Sequence, residues 1–142
     1  MAATVNYDGV AVGTELPTAS FPLQRVDLVR YAGASGDFNV IHWNERVARS
    51  VGLPDVIAHG MLTMAEVARV VTQWSGDPGS VLEFSVRFTK PVLVPDDGVG
   101  ATLEVSAVVG AKLDDRRVRI DLTVSSAGEK VLSMARAVVQ LA

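Results

Sequence analysis

Gly36-Asp37-Phe38-Asn39-Val40-Ile41-His42 places a carboxylate, an amide and an imidazole in one short loop. The chain has two histidines, and the second, His59, lies in another compact segment, Ile57-Ala58-His59-Gly60-Met61-Leu62. A carboxyl group and an imidazole can trade a proton near neutral pH, and a glycine amide can reach a carbonyl oxygen with no side chain in the way. These are the parts needed to move a proton next to a carbonyl, and they point to an enzyme. Asp37 alone would serve equally well as an Asx-turn former, and His42, between Ile41 and Trp43, as a structural histidine. Their pairing in one glycine-flanked loop, where each can hold the same water, favours chemistry. Asn39 fits a residue that fixes the turn and orients a neighbour. Gly60 falls where the longest helix begins, so its N–H lacks an intrahelical partner and the helix dipole favours negative charge beside it. His59 reads as a helix cap or a supporting residue rather than a second base. No metal is expected, because the ligand spacing of a zinc site such as His-Glu-x-x-His is missing.

Elements must hold these groups. Residues 7 to 22 alternate loosely around Pro17 and Pro22 and predict an entry strand with turns. A short helix is expected over Val26 to Ala34, broken by Gly33, Ser35 and Gly36. A second is expected over Asn44 to Val51, with Asn44 as its N-cap and Gly52 as its stop. Met61 to Trp74 is the longest helical stretch. Its polar residues Glu66, Arg69 and Gln73 share one stripe and nearly everything else is apolar, which predicts a helix buried on several sides. Gly76-Asp77-Pro78-Gly79 ends it. Strands follow: Val81 to Val94, with Leu82, Phe84, Val86 and Phe88 on one face, then Ala101 to Lys112, Arg116 to Ser125 and Val131 to Leu141. The fold class is α+β, an antiparallel sheet curled around one long helix.

Composition narrows the function. At 142 residues and 49% hydrophobic content the chain suits one domain over residues 1 to 142. A formal charge of −3 and no dense Lys/Arg run speak against nucleic acid as a partner. The absence of cysteine excludes disulfide, thiolate–metal and cysteine-nucleophile chemistry. Residues 1 to 13 do not read as a signal peptide, and no apolar run reaches the roughly 20 residues of a membrane span, so a cytoplasmic protein with no membrane partner is expected. A mean hydropathy of +0.29 suggests apolar surface reserved for a subunit interface.

The two segments around Asp37–His42 and His59–Gly60 resemble the paired signatures of the MaoC-like, hydratase-2 family of hot-dog enoyl-thioester hydratases and dehydratases. Ile41-His42-Trp43, Gly76-Asp77-Pro78-Gly79 and Val86-Arg87-Phe88-Thr89 look closest to the B subunits of actinobacterial (3R)-hydroxyacyl-carrier-protein dehydratases. The resemblance implies Asp37 and His42 as the catalytic pair and the Gly60 amide as oxyanion donor to a thioester carbonyl. It implies Asn39 as the loop asparagine, an acyl-CoA or acyl-carrier-protein substrate in fatty-acid metabolism, and no cofactor. It also implies a dimer, either of identical chains or with a related hot-dog subunit. Val40 departs from the family, which has a φ-fixing proline there. Two other functions remain in play: a hot-dog thioesterase using Glu66, and a non-catalytic acyl-binding subunit.

Overall fold

Alternation of apolar residues along four successive strands, and a helix with one broad apolar face, leave one economical solution: the sheet curls and the helix fills its concave side. The computed structural model describes residues 3–142 and has this plan. The start of the 1 to 13 segment, Met1 and Ala2, lies outside the described residues.

The sheet has five antiparallel strands in the order β1-β3-β4-β5-β2. These are β1 (Ala19–Leu23), β2 (Val81–Phe88), β3 (Ala101–Leu113), β4 (Arg117–Ser126) and β5 (Glu129–Gln140). Inward residues alternate along the three central strands. Leu103, Val105 and Val109 of β3, Val118, Ile120 and Val124 of β4, and Ala135, Ala137 and Val139 of β5 are all buried. The β4–β5 hairpin closes through Ala127 and Gly128, both at positive φ (50° and 76°), the backbone of a tight turn whose twist matches the strands.

The expected entry strand is mostly irregular. Tyr7–Gly9 is a single 3₁₀ turn, Glu15 makes an isolated bridge to Val108, and β1 is the one continuous strand of the stretch, at the sheet edge, where a proline such as Pro22 is tolerated. The expected strand Val81 to Val94 is also cut short. It ends at Phe88; the Thr89 and Lys90 N–H groups still reach the Val131 carbonyl, and past Pro91, which cannot donate to a ladder, residues 92 to 94 pair with the 56–58 segment instead.

Three α-helices are present among the described residues: α1 (Arg25–Ser35), α2 (Glu45–Ser50) and α3 (Gly60–Ser75). A capping box between Gln24 and Asp27 starts α1. The Asn44 side chain accepts from the Val47 N–H (3.1 Å) and starts α2. Gly76 ends α3 in the left-handed conformation (φ 79°). Leu62, Val67, Val70 and Val71 form the buried face of α3, while Glu66 and Arg69 pair at 2.6 Å on its outer stripe. Met61 is not buried as the apolar pattern suggested; it is 58% exposed beside the site loop's segment.

Ile120 has no exposed surface under α3. Truncating it leaves a void that rigid neighbours cannot fill, so Ile120→Ala should cost about 2–5 kcal/mol. Urea unfolding would register this as a lower midpoint at unchanged slope.

Candidate active site

Helix α1 stops at Gly36, whose φ of 77° turns the chain out of the helix. The next residues are tied by local bonds. Ser35 Oγ accepts from the Asp37 N–H (3.1 Å), Asp37 Oδ1 from the Asn39 N–H (3.1 Å), and Asn39 Oδ1 from the Ile41 N–H (3.3 Å). Trp43 Nε1–H donates to the Phe38 carbonyl (3.1 Å). Asn39 thereby opens a single 3₁₀ turn, Val40–His42, with Val40 at its first position. The loop is stiffened by side-chain bonds where the family's proline would stiffen it by covalent geometry.

The turn delivers His42 into the molecule, where it is 7% exposed. Its Nδ1 lies 2.7 Å from the Ile57 carbonyl oxygen. A carbonyl can only accept, so Nδ1 carries the proton and Nε2 keeps its lone pair. His59 is 1% exposed, and its Nε2–H donates to the main-chain carbonyl of Asp37 at 3.0 Å. The two imidazoles stack, with centroids 3.8 Å apart and planes 24° apart, and Tyr31 meets the His59 ring edge-on at 4.8 Å. His59 occupies the N-cap position of α3, yet its side chain caps no helix N–H. The Asp37 carboxylate, His42 and His59 bring one donor atom each within 4.8 Å of one another. That spacing alone would suit a metal. An imidazole ligates in its ring plane, however, and two face-to-face rings direct their lone pairs side by side rather than at one ion.

A cavity of about 260 Å³ opens beside this pair, lined by His42, Gly60, Thr63, Phe88, Lys90 and Val92 among others. Gly60 is the first residue of α3, and its N–H has no acceptor among the described residues. The Phe88 ring lies over it; a Cβ at position 60 would stand 3.1 Å from Phe88 Cε1. Asp37 is exposed and outside the lining, and Asn39 is likewise exposed. Glu66 lines a different depression, with Asp27, Arg30 and Tyr31. Arg25 braces the surround. It pairs with Asp55 (2.6 Å) and Glu45 (3.3 Å) and donates to the Val94 carbonyl, which joins α1, α2 and both segments flanking the cavity.

The family model described as MaoC like domain matches residues 9–127. The chain belongs to the MaoC-like family. It has that family's hot-dog fold: a solved structure titled MaoC-like dehydratase superposes with a TM-score of 0.95 at 41% identity, over 99% of this chain and 43% of that one. In sequence it is similar to 3-hydroxyacyl-thioester dehydratase X of Mycobacterium tuberculosis (strain ATCC 25618 / H37Rv), 42% identical over 79 residues, which is 56% of this chain and 27% of that protein. It is also similar to the (R)-specific enoyl-CoA hydratase of Rhodospirillum rubrum, 33% identical over 107 residues, covering 75% of this chain and 72% of the relative. The MaoC-like chain thus spans about a quarter of the first of these relatives.

Thr63, Phe88, Lys90 and Arg25 escaped the sequence reading of this MaoC-like domain. Pro91, which ends β2, was the one signal that residues 88 to 92 bend toward a site. Burial holds His42 below its ordinary value of 6.5, with the Ile57 hydrogen bond opposing. A base works unprotonated, so lowering its pKa extends its range toward acid. The acidic limb of kcat/KM should therefore fall below pH 6.5, and a limb at higher pH would remove His42 as the titrating base.

Proposed function

We propose that this chain catalyses the (R)-specific hydration of enoyl thioesters and the reverse dehydration of (3R)-hydroxyacyl thioesters in fatty-acid metabolism. One observation carries the reading: the Asp37 carboxylate and the His42 ring lie within 4.8 Å of each other beside a cavity that also holds the Gly60 N–H. In dehydration the C2 proton leaves, the electron pair moves through the enolate to form the C2=C3 bond, and the C3 hydroxyl departs with a proton as water. Negative charge builds on the thioester oxygen, and an unpartnered N–H at a helix start is placed to stabilise it. Asp37 and His42 carry the proton between C2 and the departing oxygen; hydration runs the same path backwards. The thioester itself acidifies C2, so the reaction draws on no cofactor. The relatives' names support the same chemistry. The thioesterase reading loses its support because Glu66 faces a separate depression and is paired with Arg69.

Asp37→Asn and His42→Ala should each lower kcat/KM by about 10²–10⁴-fold on crotonyl-CoA or a longer enoyl thioester, with thermal stability kept. Glu66→Gln should stay within a few-fold. Activity of either pair variant within a few-fold of wild type would sink the assignment, and free thiol release lost on Glu66→Gln would favour the thioesterase.

A second hot-dog unit is the proposed partner, another copy when the chain is expressed alone or a related subunit in the cell. Edge strand β2 supports this. Leu82 and Phe88 are 52% and 51% exposed, and neither Glu83 nor Arg87 has an ion partner among the described residues. Antiparallel pairing of β2 with its copy about Ser85 sets Glu83 opposite Arg87 and Leu82 opposite Phe88, so the edge is complementary to itself. Arg87→Glu should weaken a homodimer roughly ten-fold or more in light scattering, and adding Glu83→Arg should restore it. An unchanged dimer in Arg87→Glu would exclude this pairing.

A further inference from the structure

We propose that His59 is a positioning residue: a ring, sealed from solvent and from the cavity, that ties Asp37 to the same short segment that holds His42. The inference rests on the acid–base reading of Asp37 and His42. Every bond that shapes the 35–43 loop from within is local, reaching five residues at most. The bonds that place the two groups against the rest of the chain are of another kind. His42 Nδ1–H reaches Ile57, and the Asp37 carbonyl accepts from His59. Both therefore end on residues 57 to 59. The face of His59 also lies on His42, so one ring touches the mount of each partner.

The other nitrogen of His59 shows that packing is not its purpose. Nδ1 is buried and has no hydrogen-bond partner. A phenylalanine would fill the space without leaving a polar atom orphaned, and buried polar atoms are ordinarily paired. What phenylalanine cannot supply is the Nε2–H that Asp37 accepts. A carbonyl can only accept, so the bond to Asp37 puts a proton on Nε2. The ring is 1% exposed and does not line the cavity, so its effect on rate runs through geometry.

The test compares His59→Phe, which keeps a ring and loses the donor, with His59→Gln, which keeps a side-chain N–H. His59→Phe should keep the wild-type melting temperature yet lose up to roughly 100-fold in kcat with KM within three-fold, as expected when reacting groups are misplaced by about 1 Å. His59→Gln should recover most of the loss. In nitrogen-15 spectra of the wild type, His59 should show the Nε2–H tautomer and His42 the Nδ1–H tautomer. Amide signals of residues 37 to 42 should broaden in His59→Phe and not in His59→Gln. An active His59→Phe enzyme, equal losses in both variants, or an Nδ1–H tautomer of His59 would overturn the proposal. An inactive wild type would instead refute the hydratase reading, and the spectra would still decide the role of His59.

Discussion

Val67 and Val71 lie on α3 with no exposed surface, packed into the concave side of a sheet whose inner residues are themselves dry. On this contact the rest of the molecule depends. A 16-residue helix spans about 24 Å, so pinning its middle fixes both ends. The N-terminal end carries Gly60, and the residues before it, 57 to 59, are brought to the open side of the sheet. They meet the returning 89–94 segment there through the Ala58 N–H to Val92 carbonyl bond (2.9 Å). A functional site mounted on a rigid element in this way keeps its geometry while the loops around it vary.

The core and the site are built to opposite rules. In the core nearly every buried atom is apolar, and stability follows the area removed from water, about 25 cal/mol per Å². Around Asp37 and His42 the fold instead accepts polar burial and one orphaned imidazole nitrogen, a defect that typically costs about 1–3 kcal/mol. The partly exposed Arg25–Asp55–Glu45 cluster clamps three segments around it. Departures of this kind from local rules gather where function competes with stability.

The proposed acid–base pair is divided between two environments. His42 is buried and its ring favours the neutral form, while Asp37 stands at the surface with one oxygen held by the Asn39 N–H. Two apolar side chains at the carboxylate's loop, Phe38 and Trp43, are themselves about half exposed or more. A second unit of the kind proposed, if seated over this loop, would lower the local dielectric around Asp37.

Much of this was legible in the chain itself. Period-two alternation in β3, β4 and β5, the apolar circumference of α3, the Asn44 cap and the Gly76 stop are local signals, and each specifies its element through its own backbone and solvent preferences. The Asp37–His42 loop was legible because its side-chain bonds span so few residues. Pro91 signalled the bend after β2, but the sequence did not carry the ring of Phe88 laid over Gly60, since that depends on a contact between residues far apart in the chain. Nor did it carry the ties from residues 57–59 to Asp37 and His42, or Arg25's bonds 20 to 69 residues away. A residue's chemical type is written in its code, and so is its preference for helix, strand or turn. Which donor meets which acceptor across the fold is decided only when burial of α3 brings distant segments within three ångströms, where hydrogen bonds have their strength.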